Sequence, residues 1–277
     1  MADTDQVTID ELGPGDALAG LALSTEAHWN QTEADWRFLL SQGIVFGARD
    51  KEHHLIASAA LLPYTSGNAW ISMVLVTANW RRRGLATRLV DACLDAARMQ
   101  RLTTWLDATP AGASVYGPQG FTPVLELRRL RLENATSTKA EAPQSLSPCG
   151  IDEFIAQDRL AMGFDRSTLL TELGGRAGSR LLSSGDALAL VRDGRTARHI
   201  GPLFAGSPDQ ALAMVNEIIW SESGPLLIDA IHEQDEFLNG LTRSGWSIER
   251  PFQRMRFGRA TAVSAGLPFA VAGPEYG

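Results

Sequence analysis

Residues 70–100 read WISMVLVTANWRRRGLATRLVDACLDAARMQ, and this stretch decides the fold class. The apolar run from Trp70 to Val76 is typical of a buried strand, and the apolar spacing from Leu85 onward predicts an amphipathic helix. A short basic turn containing glycine joins the two. Because the first N–H groups of a helix lack partners within it and the helix dipole adds positive character, this turn predicts a binding site for an anion such as a phosphate.

The turn has the order Arg81-x-x-Gly84-x-Ala86, which in this context resembles the pyrophosphate loop of GNAT-superfamily acyltransferases, which hold acetyl-CoA. Glycine leaves room for the backbone to approach the phosphates, and a small residue at position 86 lets the helix come close to the strand. The resemblance implies that main-chain amides face the pyrophosphate and that the arginines add charge. The expected cofactor-binding residues of the turn are Arg81, Arg82, Arg83, Gly84, Leu85, Ala86 and Thr87. The alternative is a basic turn that binds nothing.

The strand before the loop carries a second expectation from the same resemblance. In GNAT enzymes this strand splays from its neighbour, and its backbone pairs with the pantetheine arm of CoA. The resemblance therefore implies main-chain contacts with CoA from Met73, Val74 and Val76. Their side chains are expected to pack in the core, which is compatible with that role.

The motif Tyr116-x-x-x-Gly120-Phe121 also resembles a GNAT feature. An amine that attacks a thioester releases a thiolate, which a nearby phenol can protonate as a general acid. A tyrosine with an ordinary pKa of about 10 keeps that proton at neutral pH. We therefore expect Tyr116 to be the catalytic acid, and the alternative is a buried tyrosine that only positions CoA. The family more often has a charged residue after this tyrosine, where this chain has Gly117 and Pro118.

The stretch W-N-Q-T-x-x-D-W, residues 29–36, stands where GNAT enzymes form one wall of the acceptor pocket. The resemblance implies substrate-binding roles for Trp29, Asn30 and Gln31. Trp29 would cover an acceptor, and the two amides would form hydrogen bonds with it. Packing and capping of the following helix is the alternative for each of these residues.

The sequence leaves the general base open. An ammonium substrate must lose a proton before it attacks, and Glu26, His28, Asp107 or an ordered water could accept it. His28 has the better intrinsic pKa for this task. Asp107 ends a predicted strand near the cofactor, although an acid there could simply cap the following turn.

Length and composition predict two domains. The chain has 277 residues, which is more than one domain usually contains. The resemblance implies an α/β fold with mixed sheets, in which tandem GNAT-like domains occupy residues 1–134 and 149–277. The small, polar, Pro-containing stretch at 135–148 is typical of a linker. The secondary-structure pattern further predicts a helix over 10–27, with Leu18, Leu21 and Ala22 on one apolar face, and a final strand pair, 121–124 and 127–132, in the first domain.

The second half resembles the C-terminal domain of a two-domain bacterial GNAT subfamily, and we expect it to be degenerate. Residues 204–211, FAGSPDQA, lack the R-x-x-G-x-A loop, so we expect acetyl-CoA to bind only to the first half. The second half would brace the first and could line the acceptor pocket. Candidates for that wall are Asp165, Arg166, Asp229 and Arg254, with structural ion pairs as the alternative.

Charge and cysteine content exclude several classes of protein. The formal net charge of −7 argues against general binding to nucleic acid or an anionic membrane. Cys93 and Cys149 form neither a disulfide framework nor a metal-ligand pair. The solvated turn at His53-His54 and the pair Asp229 and His232 lack further ligands, so we expect no metal. The first residues do not read as a signal peptide and no run is long enough to span a membrane, so the expected location is the cytoplasm.

These observations lead to one principal hypothesis and two alternatives. The principal one is an acetyl-CoA-dependent N-acetyltransferase that acts on a small-molecule amine by direct attack in a ternary complex, as a monomer or homodimer. One alternative is a CoA-binding regulatory or sensor protein without transfer activity. The other is an acetyltransferase for protein or peptide amines, which predicts an open groove in place of an enclosed pocket.

Overall fold

The computed structural model of this chain describes residues 7–135, 146–259, 266 and 268–277. Within these residues the chain forms one mixed sheet of twelve strands with helices packed against it. The strands are β1 (Ile9–Glu11), β2 (Ile44–Arg49), β3 (Leu55–Pro63), β4 (Asn68–Val76), β5 (Thr103–Ala108), β6 (Thr122–Ala135), β7 (Ser147–Pro148), β8 (Arg180–Ser184), β9 (Ala187–Arg192), β10 (Arg198–Phe204), β11 (Gly224–Ile231) and β12 (Ser247–Phe257). The helices are α1 (Ala17–Glu26), α2 (Glu33–Gln42), α3 (Leu85–Met99), α4 (Pro110–Tyr116), α5 (Ile151–Met162), α6 (Ser167–Gly175), α7 (Pro208–Ser221) and α8 (Asp235–Arg243).

The two halves of the chain share this sheet by exchanging strands. The strand order is β1-β2-β3-β4-β5-β12-β6-β11-β10-β9-β8-β7. Strand β12, from the second half, lies antiparallel between β5 and β6 of the first half, and β6 pairs on its other side with β11. The mixed α/β architecture was expected, and the structure forms it as one continuous mixed sheet. Hydrogen bonding between β6 and β11 makes the sheet continuous.

Strands β4 and β5 separate after a short parallel contact. They pair only from Asn68 opposite Thr103 to Trp70 opposite Trp105. Beyond Trp70, β4 contains an irregularity against β3, and Met73 adopts a left-handed φ of 51°. The Ser58 hydroxyl donates to the Met73 carbonyl oxygen at 2.8 Å and stabilises this kink. The kink leaves a gap between the two strands.

The first half differs from expectation at its two ends. The predicted helix over 10–27 is instead β1 followed by α1, which begins only at Ala17. The buried face of α1 includes Leu23, whereas Leu18, expected on that face, is 64% exposed. The predicted strand pair at 121–132 is one long strand, β6, because its outer part continues along β11. Of the predicted linker, residues 136–145 lie outside the described part of the chain, and the domain boundaries remain a prediction.

The segment at 268–277 returns to the centre of the molecule. Ala270 bridges to Leu203 and Ala230 in the second half. Further along, the Trp70 indole Nε1 donates to the carbonyl oxygen of Pro274 at 2.9 Å, and the Tyr276 side chain is fully buried. This segment therefore contacts both halves beside the gap between β4 and β5.

Of the helices in the described part of the chain, none is long and apolar enough to cross a lipid bilayer.

Candidate active site

A cavity of about 70 Å³ lies at the gap between β4 and β5. Both strands contribute to it, with Ile71–Val74 from β4 and Leu106–Ala108 from β5. Tyr116, the last residue of α4, lines the same cavity. The remaining lining residues are Thr109, next to β5, and residues from distant parts of the chain: Trp29, Gln31, Arg129, Arg250, Phe252, Pro274 and Glu275. Residues of both halves therefore meet at one cavity.

The basic turn leads from the end of β4 into α3. Gly84 is the N-cap of α3 with a φ of 76°, and Arg82 adopts a φ of 60°. Glycine reaches this left-handed conformation at little cost, so the turn requires it for a reason besides access to the phosphates. A Cβ atom built on Gly84 would meet nothing within 4 Å. The space before the first amides of α3 is therefore open, as an anion site needs.

The three arginines of the turn lie at the surface, partly held by the turn itself. Arg81 Nε donates to the carbonyl oxygen of Val76 at 3.0 Å. Arg83 donates to the carbonyl oxygen of Asn79 at 2.9 Å, and its guanidinium stacks on Trp80 at 4.8 Å from the ring centre. Arg82 is exposed. The turn is thus internally braced and positively charged, and its residues fit the pyrophosphate of CoA, with the helix amides as the binding groups.

Tyr116 is held in the cavity wall by local structure. Helix α4 begins after Thr109, whose side-chain oxygen accepts from the Gly112 amide at 3.2 Å. After the helix, the Phe121 amide donates to the Tyr116 carbonyl oxygen at 3.2 Å, which closes the Y-x-x-x-G-F turn. Burial raises the pKa of Tyr116, so its hydroxyl keeps its proton at neutral pH. No hydrogen bond of that hydroxyl is found within the described residues, and the proton is available to a ligand.

Of the three candidate bases, Asp107 lines the cavity and Glu26 and His28 lie outside it. Asp107 lines the cavity, but both its oxygens accept hydrogen bonds of 2.8 Å from Arg254. Burial raises the pKa of Asp107, and Arg254 opposes the shift. Glu26 is exposed and accepts from the Thr77 hydroxyl at 2.6 Å, which together with the Ala78 amide lowers its pKa. His28 is exposed, and neither it nor Glu26 lines the cavity.

The three candidate acceptor-binding residues, Trp29, Asn30 and Gln31, also differ in position. Trp29 and Gln31 line the cavity. The Gln31 amide nitrogen donates to Glu275 at 2.9 Å. Asn30 turns toward the second half, where it donates to the Ala197 carbonyl oxygen at 3.0 Å and accepts from the Thr196 amide at 2.8 Å. Asn30 therefore ties the two halves together.

Comparison with known protein families decides the relationship. Residues 18–121 match the acetyltransferase (GNAT) family, and residues 154–266 match an acetyltransferase (GNAT) domain. The chain belongs to the GNAT family and contains two GNAT domains. Acetyl-CoA is therefore the co-substrate that the family implies.

Individual relatives agree with this assignment. The chain is 24% identical over 235 residues to the uncharacterized N-acetyltransferase YitH of Bacillus subtilis (strain 168), an alignment of 82% of this chain and 83% of YitH. A provisionally assigned acetyltransferase from Pyrococcus horikoshii shares the fold with a TM-score of 0.81 and 20% identity, covering 98% of this chain and 96% of that one. A tandem GNAT protein from the clavulanic acid biosynthesis pathway matches with a TM-score of 0.67 and 14% identity over 92% and 100% of the two chains.

The four polar candidates of the second half all form ion pairs. Arg254 holds Asp107 across the β5–β12 contact, and Asp229 holds Arg129 through two hydrogen bonds of 2.8 Å. Arg166 pairs with Asp158 and also donates to the main-chain oxygen of Tyr276. Asp165 pairs with Arg159. Of the four, none lines the cavity between β4 and β5, although Arg254 and Asp229 each hold a residue that does.

Sequence reasoning missed Ser72, Arg129 and Glu275 as cavity residues of this GNAT protein. Ser72 lies in β4 next to Met73, one of the residues expected to contact CoA. Arg129 and Glu275 belong to β6 and to the segment at 268–277, far from the motifs. No local pattern distinguishes these two residues, because the pairing of β6 brings Arg129 to the cavity and the packing of the segment at 268–277 brings Glu275.

The turn between β2 and β3 brings together Asp50, Glu52 and His54, whose potential ligand atoms lie within 4.8 Å of one another. The group is largely exposed, and Asp50 Oδ1 accepts from the Glu52 and His54 amides. Asp229 is occupied by Arg129 and by His199, whose Nε2 lies 3.0 Å from it. These carboxylates have hydrogen-bonding roles that need no metal ion.

Proposed function

We propose that this GNAT protein transfers the acetyl group of acetyl-CoA to the amine of a small molecule by direct attack in a ternary complex. The observation that carries the proposal is the cavity at the gap between β4 and β5. The edge of β4 that β5 leaves unpaired lines this cavity, and so does Tyr116, whose hydroxyl is protonated. Strand β4 leads directly into the basic turn before α3.

Each part of the chain has a task in this reaction. The amides at the start of α3 and the arginines before it bind the pyrophosphate of the co-substrate. The main chain of Met73, Val74 and Val76 aligns the pantetheine arm, and acetyl-CoA supplies the activated acyl carbon. The acceptor's ammonium group first gives one proton to a base, for which the candidates are Asp107 in the cavity wall and an ordered water. The resulting neutral amine forms the new C–N bond as the C–S bond breaks, and Tyr116 donates its hydroxyl proton to the sulfur. The nitrogen of the new amide then loses its extra proton, which restores the Tyr116 hydroxyl.

The shape of the cavity favours a small acceptor over a protein. Side chains from both halves line it, and its volume is only about 70 Å³. A peptide acceptor would need an open groove in which to lay its backbone. The remaining alternative, a sensor that binds CoA without transfer, uses the same turn but gives the Tyr116 hydroxyl no task.

A screen for thiol release from acetyl-CoA tests the proposal. The acceptors are amino acids, polyamines, aminoglycosides and peptides, with Tyr116→Phe as the catalytic control. We expect amine-dependent release by the wild-type protein with at least one small amine. Tight CoA binding without release on any amine would support the sensor, and release with peptides alone would support the third class of function.

A further inference from the structure

We infer that Glu275 holds the ammonium group of the acceptor, so that the substrate is a compact primary amine bound by a ring of oxygen atoms. The inference rests on the proposed function, because it places the acceptor in the same cavity. The oxygens come from Glu275, Gln31 and Ser72, and all three residues line that cavity.

Two of these oxygens are buried without a partner. Gln31 is 5% exposed and its Oε1 atom forms no hydrogen bond, and Ser72 is 7% exposed with its Oγ atom equally unpaired. A buried polar atom without a partner is costly and calls for an explanation. Both atoms can accept hydrogen bonds, and an ammonium group offers three donors and no acceptor. A primary ammonium therefore suits these atoms better than an anion does.

Of the two carboxylates in the cavity, Glu275 is the less fully engaged. Arg254 holds both oxygens of Asp107 from one side with two charged hydrogen bonds. Glu275 instead accepts one charged hydrogen bond, from Arg192 at 2.9 Å, and one from the neutral amide of Gln31 at 2.9 Å. A carboxylate has about four lone-pair positions. Glu275 thus retains acceptor capacity for a ligand. Burial raises the pKa of Glu275, and a bound ammonium group would favour its charged form.

The neighbouring cations are committed elsewhere. Arg129 and Arg250 also line the cavity, but Asp229 accepts two hydrogen bonds from Arg129, and Glu249 accepts hydrogen bonds from Arg250. The Nη2 atom of Arg192 divides its donors between Glu275 and the carbonyl oxygen of Ala272 at 2.7 Å. Gly273, with a φ of 130°, turns the backbone so that the Glu275 carboxylate folds back against it; a Cβ there would lie 2.7 Å from Oε1. The backbone at Gly273 therefore helps to fix the position of the Glu275 carboxylate, which lines the cavity.

The test compares ethanolamine with ethylene glycol, its neutral counterpart, as ligands of the full chain saturated with CoA. Titrations followed by NMR should show that the wild-type protein binds ethanolamine at least about tenfold more tightly, because a charged hydrogen bond is lost with the neutral probe. Glu275→Gln keeps the shape and an acceptor for Arg192, and we expect the preference to fall to about twofold or less. Glu222→Gln, which alters a buried carboxylate outside the cavity, should leave it unchanged.

Two results would overturn the inference: no preference for ethanolamine in the wild-type protein, or a full preference in folded Glu275→Gln. If that variant does not fold, Ser72→Ala replaces it, and an unchanged ethanolamine affinity in Ser72→Ala would count against the ring of oxygens. Thiol release without any preference would overturn this inference and leave the proposed function standing. A Glu275-dependent preference without thiol release on any amine would overturn the proposed function and leave the ammonium site at Glu275 standing.

Discussion

Tyr116 and His199 show how burial assigns protonation states in this molecule. Both side chains are buried, and burial disfavours the charged form of each. For Tyr116 the neutral form is a proton donor facing the cavity. For His199, burial and the nearby Arg192 lower the pKa to about 4 despite the hydrogen bond to Asp229. Burial therefore keeps Tyr116 protonated and His199 neutral at pH 7.

Tyr116→Phe should lower kcat by about a hundredfold or more, because a positioned general acid contributes at least that factor. The affinity for CoA should stay within about twofold of wild type, since the phenyl ring keeps its packing against Phe121. Steady-state thiol release and CoA titration measure the two quantities. A large loss of CoA affinity with kcat preserved would show that Tyr116 only positions CoA.

His199 predicts an acid-sensitive stability. In the unfolded chain the imidazole titrates about 6.5, whereas in the folded protein its pKa is about 4. As the pH falls through this window the unfolded state takes up a proton first, so the free energy of unfolding decreases, by up to roughly 3 kcal/mol for this group. Urea unfolding at pH 7 and pH 5 measures the change. His199→Gln keeps a donor for Asp229 and should flatten the difference; an equally steep pH dependence in the variant would assign it to other groups.

At the scale of elements, β4, the basic turn and α3 form one continuous unit. The kink at Met73 opens the strand edge, and the left-handed Gly84 starts the helix with its first amides free. Apolar residues of α3, among them Leu89 and Cys93, fix the helix against the sheet. This packing orients the amides before any ligand arrives.

Gly84→Glu should weaken CoA binding by at least about tenfold, since it strains the backbone and adds a negative charge where phosphate is expected. Gly163→Glu is the matched control. Gly163 has a φ of 75°, ends α5 and likewise has nothing within 4 Å of a built Cβ. Both variants should lose similar thermal stability, and only Gly84→Glu should lose CoA affinity by calorimetry. Unchanged CoA affinity in Gly84→Glu would place the cofactor site elsewhere.

At the scale of the whole molecule, the strand exchange makes the two halves dependent on each other. Strand β12 completes the sheet beside β5, and Asn30 bonds the turn at 194–197 of the second half. The buried pair of Asp107 and Arg254 crosses the same boundary. We therefore expect both halves to unfold together.

Arg254→Met should lower the free energy of unfolding by about 3–5 kcal/mol, because it leaves Asp107 buried without its partner. Adding Asp107→Leu should recover much of that loss, since a matched apolar pair no longer carries a buried charge. Urea unfolding followed by fluorescence and by circular dichroism should give one coincident transition for the wild type. Two separate transitions would contradict the dependence of the halves, and additive losses in the double variant would contradict a direct coupling.

The sequence alone determined the basic turn, the helix after it and the turn of the Tyr116 motif, because each depends on neighbours within about one element. Leu85, Leu89 and Cys93 follow helical spacing, and Gly84 must be glycine for a local backbone reason. The strand predicted at residues 70–76 lies within β4 for the same reason. The exact face of α1 was not, since Leu18 and Leu23 are both apolar and only packing decides between them.

Only the tertiary structure decided what surrounds the acceptor. Register between strands far apart in the chain brings β12 against β5 and carries Arg129 to the cavity. The segment at 268–277 adds Glu275 through contacts with Trp70 and Arg192 that lie far away in sequence. Backbone pairing of this kind leaves no local periodicity to find. The proposed cofactor site is thus encoded locally, whereas the proposed acceptor site forms only once both halves have folded together.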